Sequence, residues 1–132
     1  MKKLALLATL IFSVMFPSAS YAEWTKVVEG IESGNRGINY YVDFERIRKV
    51  DGYVYFWTLS DYLKPTEFGN LSAKVYKQGD CKIFRFKNLS FSFHKEPMGR
   101  GTGEISNPKN PEWIYPSPNS VGGLRLKIVC SW

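Results

Sequence analysis

The sequence predicts an antiparallel, strand-dominated fold for one exported domain, and three observations carry that reading. The chain beyond its first residues is made of short runs rich in β-branched and aromatic residues, the composition that suits a pleated, half-buried surface. Asp51-Gly52 stands between two such runs, which is the residue pair a two-residue hairpin turn demands. Two cysteines, Cys81 and Cys130, follow an export-type leader, and an even count in an exported chain suggests one disulfide.

The leader is set aside first. MKK is basic, Leu4 to Phe16 is apolar, and PSASYA places small residues at Ser20 and Ala22. This is the layout of a secretory signal peptide, residues 1–22, cleaved between Ala22 and Glu23. The apolar run is too short for a comfortable transmembrane span. No cysteine stands near the cleavage point to carry a lipid anchor, and no later stretch is apolar enough to cross a bilayer. Residues 23–132 then form a single domain. Loss of Lys2 and Lys3 lowers the formal net charge from +6 to +4, which permits acidic partners without requiring them.

The elements follow in order. Trp24 to Glu29 is a short strand, and the segment IESGNRG (31–37) is a turn-rich loop. Ile38 to Phe44 is β-branched and aromatic, hence a second strand. FERIRKV leads into the Asp51-Gly52 turn, and Tyr53 to Leu63 leaves it. That last run is apolar on both parities through Trp57, so both its faces are covered there. Lys64-Pro65 ends it. Leu71 to Gln78 and Cys81 to Lys95 are strands, with Gly79-Asp80 as a turn or bulge between them. In the second run Phe84 and Phe86 share one parity while Leu89, Phe91 and Phe93 share the other. A bulge near Lys87-Asn88 reconciles them. From Glu96 to Pro118 the chain reads mostly as loop, with Trp113-Ile114-Tyr115 a short strand. The C-terminus is open: Leu124 to Cys130 alternates as a strand does, while Ser117, Asn119 or Ser120 could cap a helix starting near Val121. Gly122 and Gly123 weaken that helix, so the residues alone lean to strand.

The chemistry candidates narrow quickly. MGRGTGE (98–104) has Gly-x-Gly-x-Gly spacing with Pro108 and Pro111 soon after. A P-loop needs lysine and Ser/Thr after its last glycine and then a helix, and a dinucleotide fingerprint needs Gly-x-Gly-x-x-Gly. The loop therefore reads as backbone turns needing positive φ, with contact duty for Arg100 and Thr102 at its tip. His94 is the one histidine in the chain. It has no motif around it that makes a serine reactive and reads as an exposed strand-end residue. No carboxylate spacing selects a pair for glycoside hydrolysis. One histidine and a paired set of cysteines leave few metal ligands. Neither an enzyme, nor a cofactor, nor a metal site is expected.

Charge is more informative. Lys74, Lys77, Lys82, Arg85, Lys87, Lys95 and Arg100 face only Asp80 and Glu96 between positions 74 and 100. Tyr76, Phe84, Phe86, Phe91 and Phe93 interleave them. In a cytoplasmic protein that pattern suggests single-stranded nucleic acid, but export argues against it. Two readings stand: a solvated basic sheet face over core aromatics, or a contact surface for anionic surfaces, glycans or acidic protein segments. The second assigns partner binding to Lys82, Arg85, Lys87, His94, Lys95, Arg100 and Thr102.

The order of motifs is YYVDFERIRKVDGYVYFWTLSDYLKP, LSAKVYKQGDC, LSFSFHKEPMGRGTGE and PEWIYPSPNSV, with a terminal cysteine. From Trp24 to Cys130 this resembles the surface-adhesin protein E domain family of Gram-negative bacteria. The resemblance implies an α+β fold: an antiparallel β-sheet of about six strands with a C-terminal helix, from about Asn119 to Val129, tethered by a Cys81–Cys130 disulfide. It also implies a non-enzymatic, adhesin-like envelope protein. Such a protein binds host extracellular-matrix proteins or epithelial surfaces, is able to form a homodimer, and sits in the periplasm or on the outer cell surface. The alternative is a soluble periplasmic structural or inhibitor-type module with no host ligand.

Overall fold

The computed structural model describes residues 23–29 and 37–132. The leader (1–22) and residues 30–36, most of the predicted loop (31–37), lie outside them. Seven strands are present among the described residues: β1 (Trp24–Val28), β2 (Ile38–Asp43), β3 (Arg48–Val50), β4 (Tyr53–Tyr62), β5 (Ser72–Asp80), β6 (Arg85–His94) and β7 (Gly103–Ser106). They form one antiparallel sheet in the order β1-β2-β4-β5-β6-β7. The short β3 lies beside the same edge of β4 as β2, pairing Arg48 with Tyr55 while β2 pairs Val42 with Thr58. A 3-10 turn at Phe44–Arg46 separates β2 from β3, started by the Asp43 carboxylate accepting from the Glu45 N–H.

The Asp51-Gly52 turn forms as its chemistry requires. Both residues have positive φ, +51° and +85°, and Val50 pairs directly with Tyr53. The predicted bulge also exists, slightly further along. Tyr76 pairs with Ser90 but Lys77 pairs with Asn88, so Leu89 is the extra residue. The extra residue moves Phe86 onto the face shared by Phe91 and Phe93, which reconciles the two parities.

Two expectations are corrected. Gly79 and Asp80 are strand residues, and the reversal is at 81–84. A Cβ on Gly79 would stand 2.8 Å from both Leu126 Cδ1 and Val54 Cγ1, so this glycine admits the helix onto the sheet. Asp80 organises the reversal from below: its Oδ1 accepts from the N–H groups of Lys82 and Ile83. The second correction is β7, inside the stretch read as loop. The Trp113-Ile114-Tyr115 segment makes a single bridge, Ile114 to Phe86.

The C-terminus is a helix, α1 (Val121–Cys130), with Ser120 as N-cap accepting from the Gly123 N–H. The strand reading of Leu124 to Cys130 is overturned by packing. Leu126 and Val129 are fully buried with Val42, Val54, Phe56 and Phe86. Each such side chain stabilises by about 1.5–3 kcal/mol when withdrawn from water. The disulfide joins Cys81, just past β5, to Cys130 at the helix end. Gly123 is required by proximity: a Cβ there would overlap the Ser117 carbonyl oxygen. We expect Gly123→Ala to destabilise by roughly 2–4 kcal/mol, although alanine is the better helix former, because backbone must move. A urea midpoint equal to or above the unsubstituted protein's would overturn this.

Candidate functional site

The two faces of the sheet differ. One is covered in part by α1. On the other, alternation along β4 and β6 presents Tyr53, Tyr55 and Trp57 with Arg85 and Lys87. There a cationic-aromatic cluster forms. The Arg85 guanidinium lies 4.0 Å and the Lys87 ammonium 4.4 Å from the Trp113 ring centre. Trp113 stacks on Tyr53 at 6.0 Å. Tyr115 accepts from Arg85 Nη1 at 3.2 Å. Beyond it, Tyr76 stands 6.2 Å from Tyr55 and 4.9 Å from Trp57, with Arg48 above Tyr55.

Arg85 is held in place. Its Nε donates to Asp80 Oδ2 at 2.9 Å. Burial pushes the Asp80 carboxyl up, but the bonds from Arg85, Ile83 and Lys82 outweigh it and hold it below its ordinary range. The bonds to Tyr115 and Asp80 keep Arg85 protonated. Lys87 has no carboxylate partner among the described residues. Its charge rests on an aromatic face, where such a contact contributes about 0.5–1 kcal/mol.

The remaining predicted contact residues fall elsewhere. Lys82 is exposed on the reversal after β5. Lys95, Arg100 and Thr102 lie past the far end of β6 and are exposed. That end is about 30 Å from Arg85 at strand spacing. Lys95 donates to the Phe68 carbonyl. The structure therefore divides the predicted surface into two clusters.

His94 belongs to neither. It is 3 % exposed, not the exposed strand-end residue expected. Its ring faces the carbonyls of Arg100 and Gly101 at Nδ1, 3.1 and 3.2 Å away. Carbonyls only accept, so Nδ1 carries the proton and Nε2 accepts from Ser92 Oγ at 2.6 Å. Burial, and then the Lys74 charge, push its pKa down against those bonds, favouring the neutral ring. Met98 N–H donates to Asp61, Gly99 N–H to Ser72 Oγ, and Ser72 Oγ to the Glu96 carbonyl. The MGRGTGE loop is thus a pinned turn that presents Arg100 and Thr102. Gly99 and Gly101 do take positive φ. Gly103 instead makes room for the His94 ring, whose Cε1 would lie 2.5 Å from a Cβ.

Sequence reasoning missed Trp113, Tyr115 and Tyr53 as partners of the basic strand. The one local signal was the alternation Trp113-Ile114-Tyr115, which sends both rings to the same side. Among the described residues no cluster of His, Cys, Asp or Glu could hold a metal ion, and no helix is long and apolar enough to cross a membrane.

Comparison with known proteins agrees with this architecture. The family described as surface-adhesin protein E matches residues 24–131. A crystal structure (form II) of Haemophilus influenzae protein E is 19% identical with a TM-score of 0.59, covering 87% of this chain and 92% of that one. A second structure of Haemophilus influenzae protein E is also 19% identical, with a TM-score of 0.58 and coverage of 87% and 89%. Protein E from non-typeable Haemophilus influenzae is 18% identical, with a TM-score of 0.52 and coverage of 84% and 86%. At such identity the likeness is one of fold. No curated protein matches the sequence.

Proposed function

The chain belongs to the surface-adhesin protein E family, and from that premise we propose that it is an exported, non-enzymatic envelope protein that binds host matrix or epithelial surface proteins. Residues 1–22 act as its cleaved leader and residues 23–132 as its one binding domain. The observation that carries the reading is the Arg85–Lys87–Trp113 cluster. Trp, Tyr and Arg are the side chains that anchor protein interfaces, because they bury large rigid surfaces and still offer polar contacts. Lys87 gives this surface an unpaired positive charge, so the complementary partner surface is acidic. Binding to it weakens as salt screens the charges.

The test is binding of the purified protein to immobilised matrix proteins at two salt concentrations. Lys87→Glu with Trp113→Ala is expected to weaken binding on the order of tenfold or more while circular dichroism stays unchanged. Lys95→Glu with Arg100→Glu, at the distant cluster, is expected to have the smaller effect. The reverse ranking would move the site to the MGRGTGE end. Protease applied to intact cells is expected to remove the protein. If the protein survives until the outer membrane is opened, adhesion is excluded and the partner is periplasmic.

A further inference from the structure

His94 does more than hold a loop. Ser92 and His94 lie on the same face of β6, and Ser92 Oγ meets His94 Nε2 at 2.6 Å. The other ring nitrogen, Nδ1, is committed to the Arg100 and Gly101 carbonyls. The tautomer is thereby fixed, with its lone pair turned to the serine. The ring is 3 % exposed, and Gly103 lies close against it: a Cβ there would stand 2.5 Å from Cε1 and 2.7 Å from Nε2. Ser92 itself is half-buried, on the face opposite α1. In register it stands between Lys74 of β5 and Ile105 of β7, and Ile105 is 68 % exposed.

A serine hydroxyl is a weak nucleophile until a base takes its proton. The base must lie within hydrogen-bond reach, be oriented by a third group and be unprotonated at working pH. His94 meets the first two conditions by its contacts, with backbone carbonyls in the orienting role that a carboxylate fills in Ser-His-Asp triads. We propose that Ser92 is a nucleophile, primed by His94, that takes the acyl group of an activated carboxylic ester. Ser92 Oγ bonds to the ester carbonyl carbon as its proton passes to Nε2. The bond from that carbon to the leaving oxygen then breaks, and the proton moves from Nε2 to that oxygen. The products are an acyl ester of Ser92 and a free alcohol or phenol. Ile105 offers the acyl chain an apolar surface, so a longer chain is favoured. Hydrolysis of the adduct needs water at Nε2, whose approach from the Ser92 side the acyl group now fills. The adduct therefore persists as a covalent mark, with no turnover cycle. The site is separate from the Trp113 surface and stands whether or not that surface binds a matrix protein.

The third condition, an unprotonated ring, gives the reaction a pH signature. The charged groups nearest the ring are Lys74 on β5 and Glu96 just past β6, with Asp61 on β4 bonded to the Met98 N–H. Burial first, and then Lys74, push the His94 pKa below its ordinary 6.5, outweighing the two carbonyls and Glu96. The rate therefore falls as pH drops through a midpoint below 6.5 and is level above it.

The experiment treats the purified protein with p-nitrophenyl acetate or p-nitrophenyl hexanoate, reading nitrophenol release and mapping the acyl group by peptide mass. A burst approaching one equivalent per chain is expected, faster with the hexanoate, leaving a hydroxylamine-sensitive ester on Ser92. Ser90, two residues away on the same face, is the internal control and should react at least about a hundredfold more slowly. Ser92→Ala should remove the burst, and His94→Gln should slow it by a similar factor. If His94→Gln fails to fold, the pH profile of the unsubstituted protein decides. Acylation confined to lysines, equal labelling of Ser90 and Ser92, a rate with no fall at acid pH, or steady release beyond one equivalent would overturn the proposal.

Discussion

Replacing Cys81 and Cys130 together by serine is expected to lower the free energy of unfolding by about 4 kcal/mol, the largest effect of any change considered. The link spans 49 residues, so the unfolded chain gains the freedom of a long opened loop. The folded state gives a second reason. α1 reaches the sheet through Leu126 and Val129, and its first turn carries two glycines that leave no side chain to pack. Cys130 holds the end of the helix against the reversal after β5. Without it the last turn is free to lift, exposing Val54 and Phe56. Domains of this size are stable by only about 5–15 kcal/mol, so the loss is a large fraction of the whole. Urea unfolding with and without reductant measures it. A difference below about 1 kcal/mol would mean that the unfolded chain is already confined near its folded dimensions.

The second large effect is set by pH. Lys77 has a folded-state pKa near 7, against an ordinary value of 10.5. Between those values the unfolded chain binds a proton there and the folded one does not. Stability therefore rises with pH from about 7 toward 10.5, with a slope approaching about 1.4 kcal/mol per unit. Well below pH 7 both states are protonated and the full penalty of the buried charge remains. Lys77→Met keeps an apolar stem against Phe86 and removes the charge, at the cost of leaving Asn88 Oδ1 without its donor. It is expected to raise stability at pH 6–7 by on the order of 1–4 kcal/mol, the range seen when buried ions give way to apolar side chains. The gain should shrink toward pH 9–10. Urea midpoints in chloride at several pH values give the difference between the two proteins, in which other titrating groups cancel. Parallel pH curves would exclude a buried, shifted Lys77.

These two cases mark where local pattern stops being informative. The cysteine pairing followed from an even count behind an export-type leader pattern, and the Asp51-Gly52 hairpin from the backbone those residues permit. The switch of parity between Phe86 and Phe91 demanded a bulge, and Leu89 supplies it two residues beyond the start of the expected site. Ser120 is one of three residues able to cap a helix beginning at Val121, and it is the one that does. Lys77 could not be read in the same way. It stood in a run of basic residues, yet its register places it opposite Phe56 and Asn88 on the side that α1 covers. His94 likewise looked exposed because the loop that buries it arrives from later in the chain.

The glycines make the same division. Gly122 and Gly123 argued against a helix by propensity, and Gly79 argued for a turn. Each instead leaves room for a neighbour distant in sequence or folded back on it: Phe86, Ser117 and Leu126. Trp113 joins Arg85 and Lys87 because a single bridge through Ile114 lays a loop segment along β6. Residue by residue, the chain specified its longer strands, its hairpin, its covalent tie and its excess of positive charge, since each rests on preferences acting over a few neighbours or on counting. Which cations end in water, which are buried under α1 and which lie on an aromatic ring emerged only with the assembled sheet and helix. Those outcomes depend on which surfaces meet, and dense packing of remote segments outweighs the local preference of any one residue.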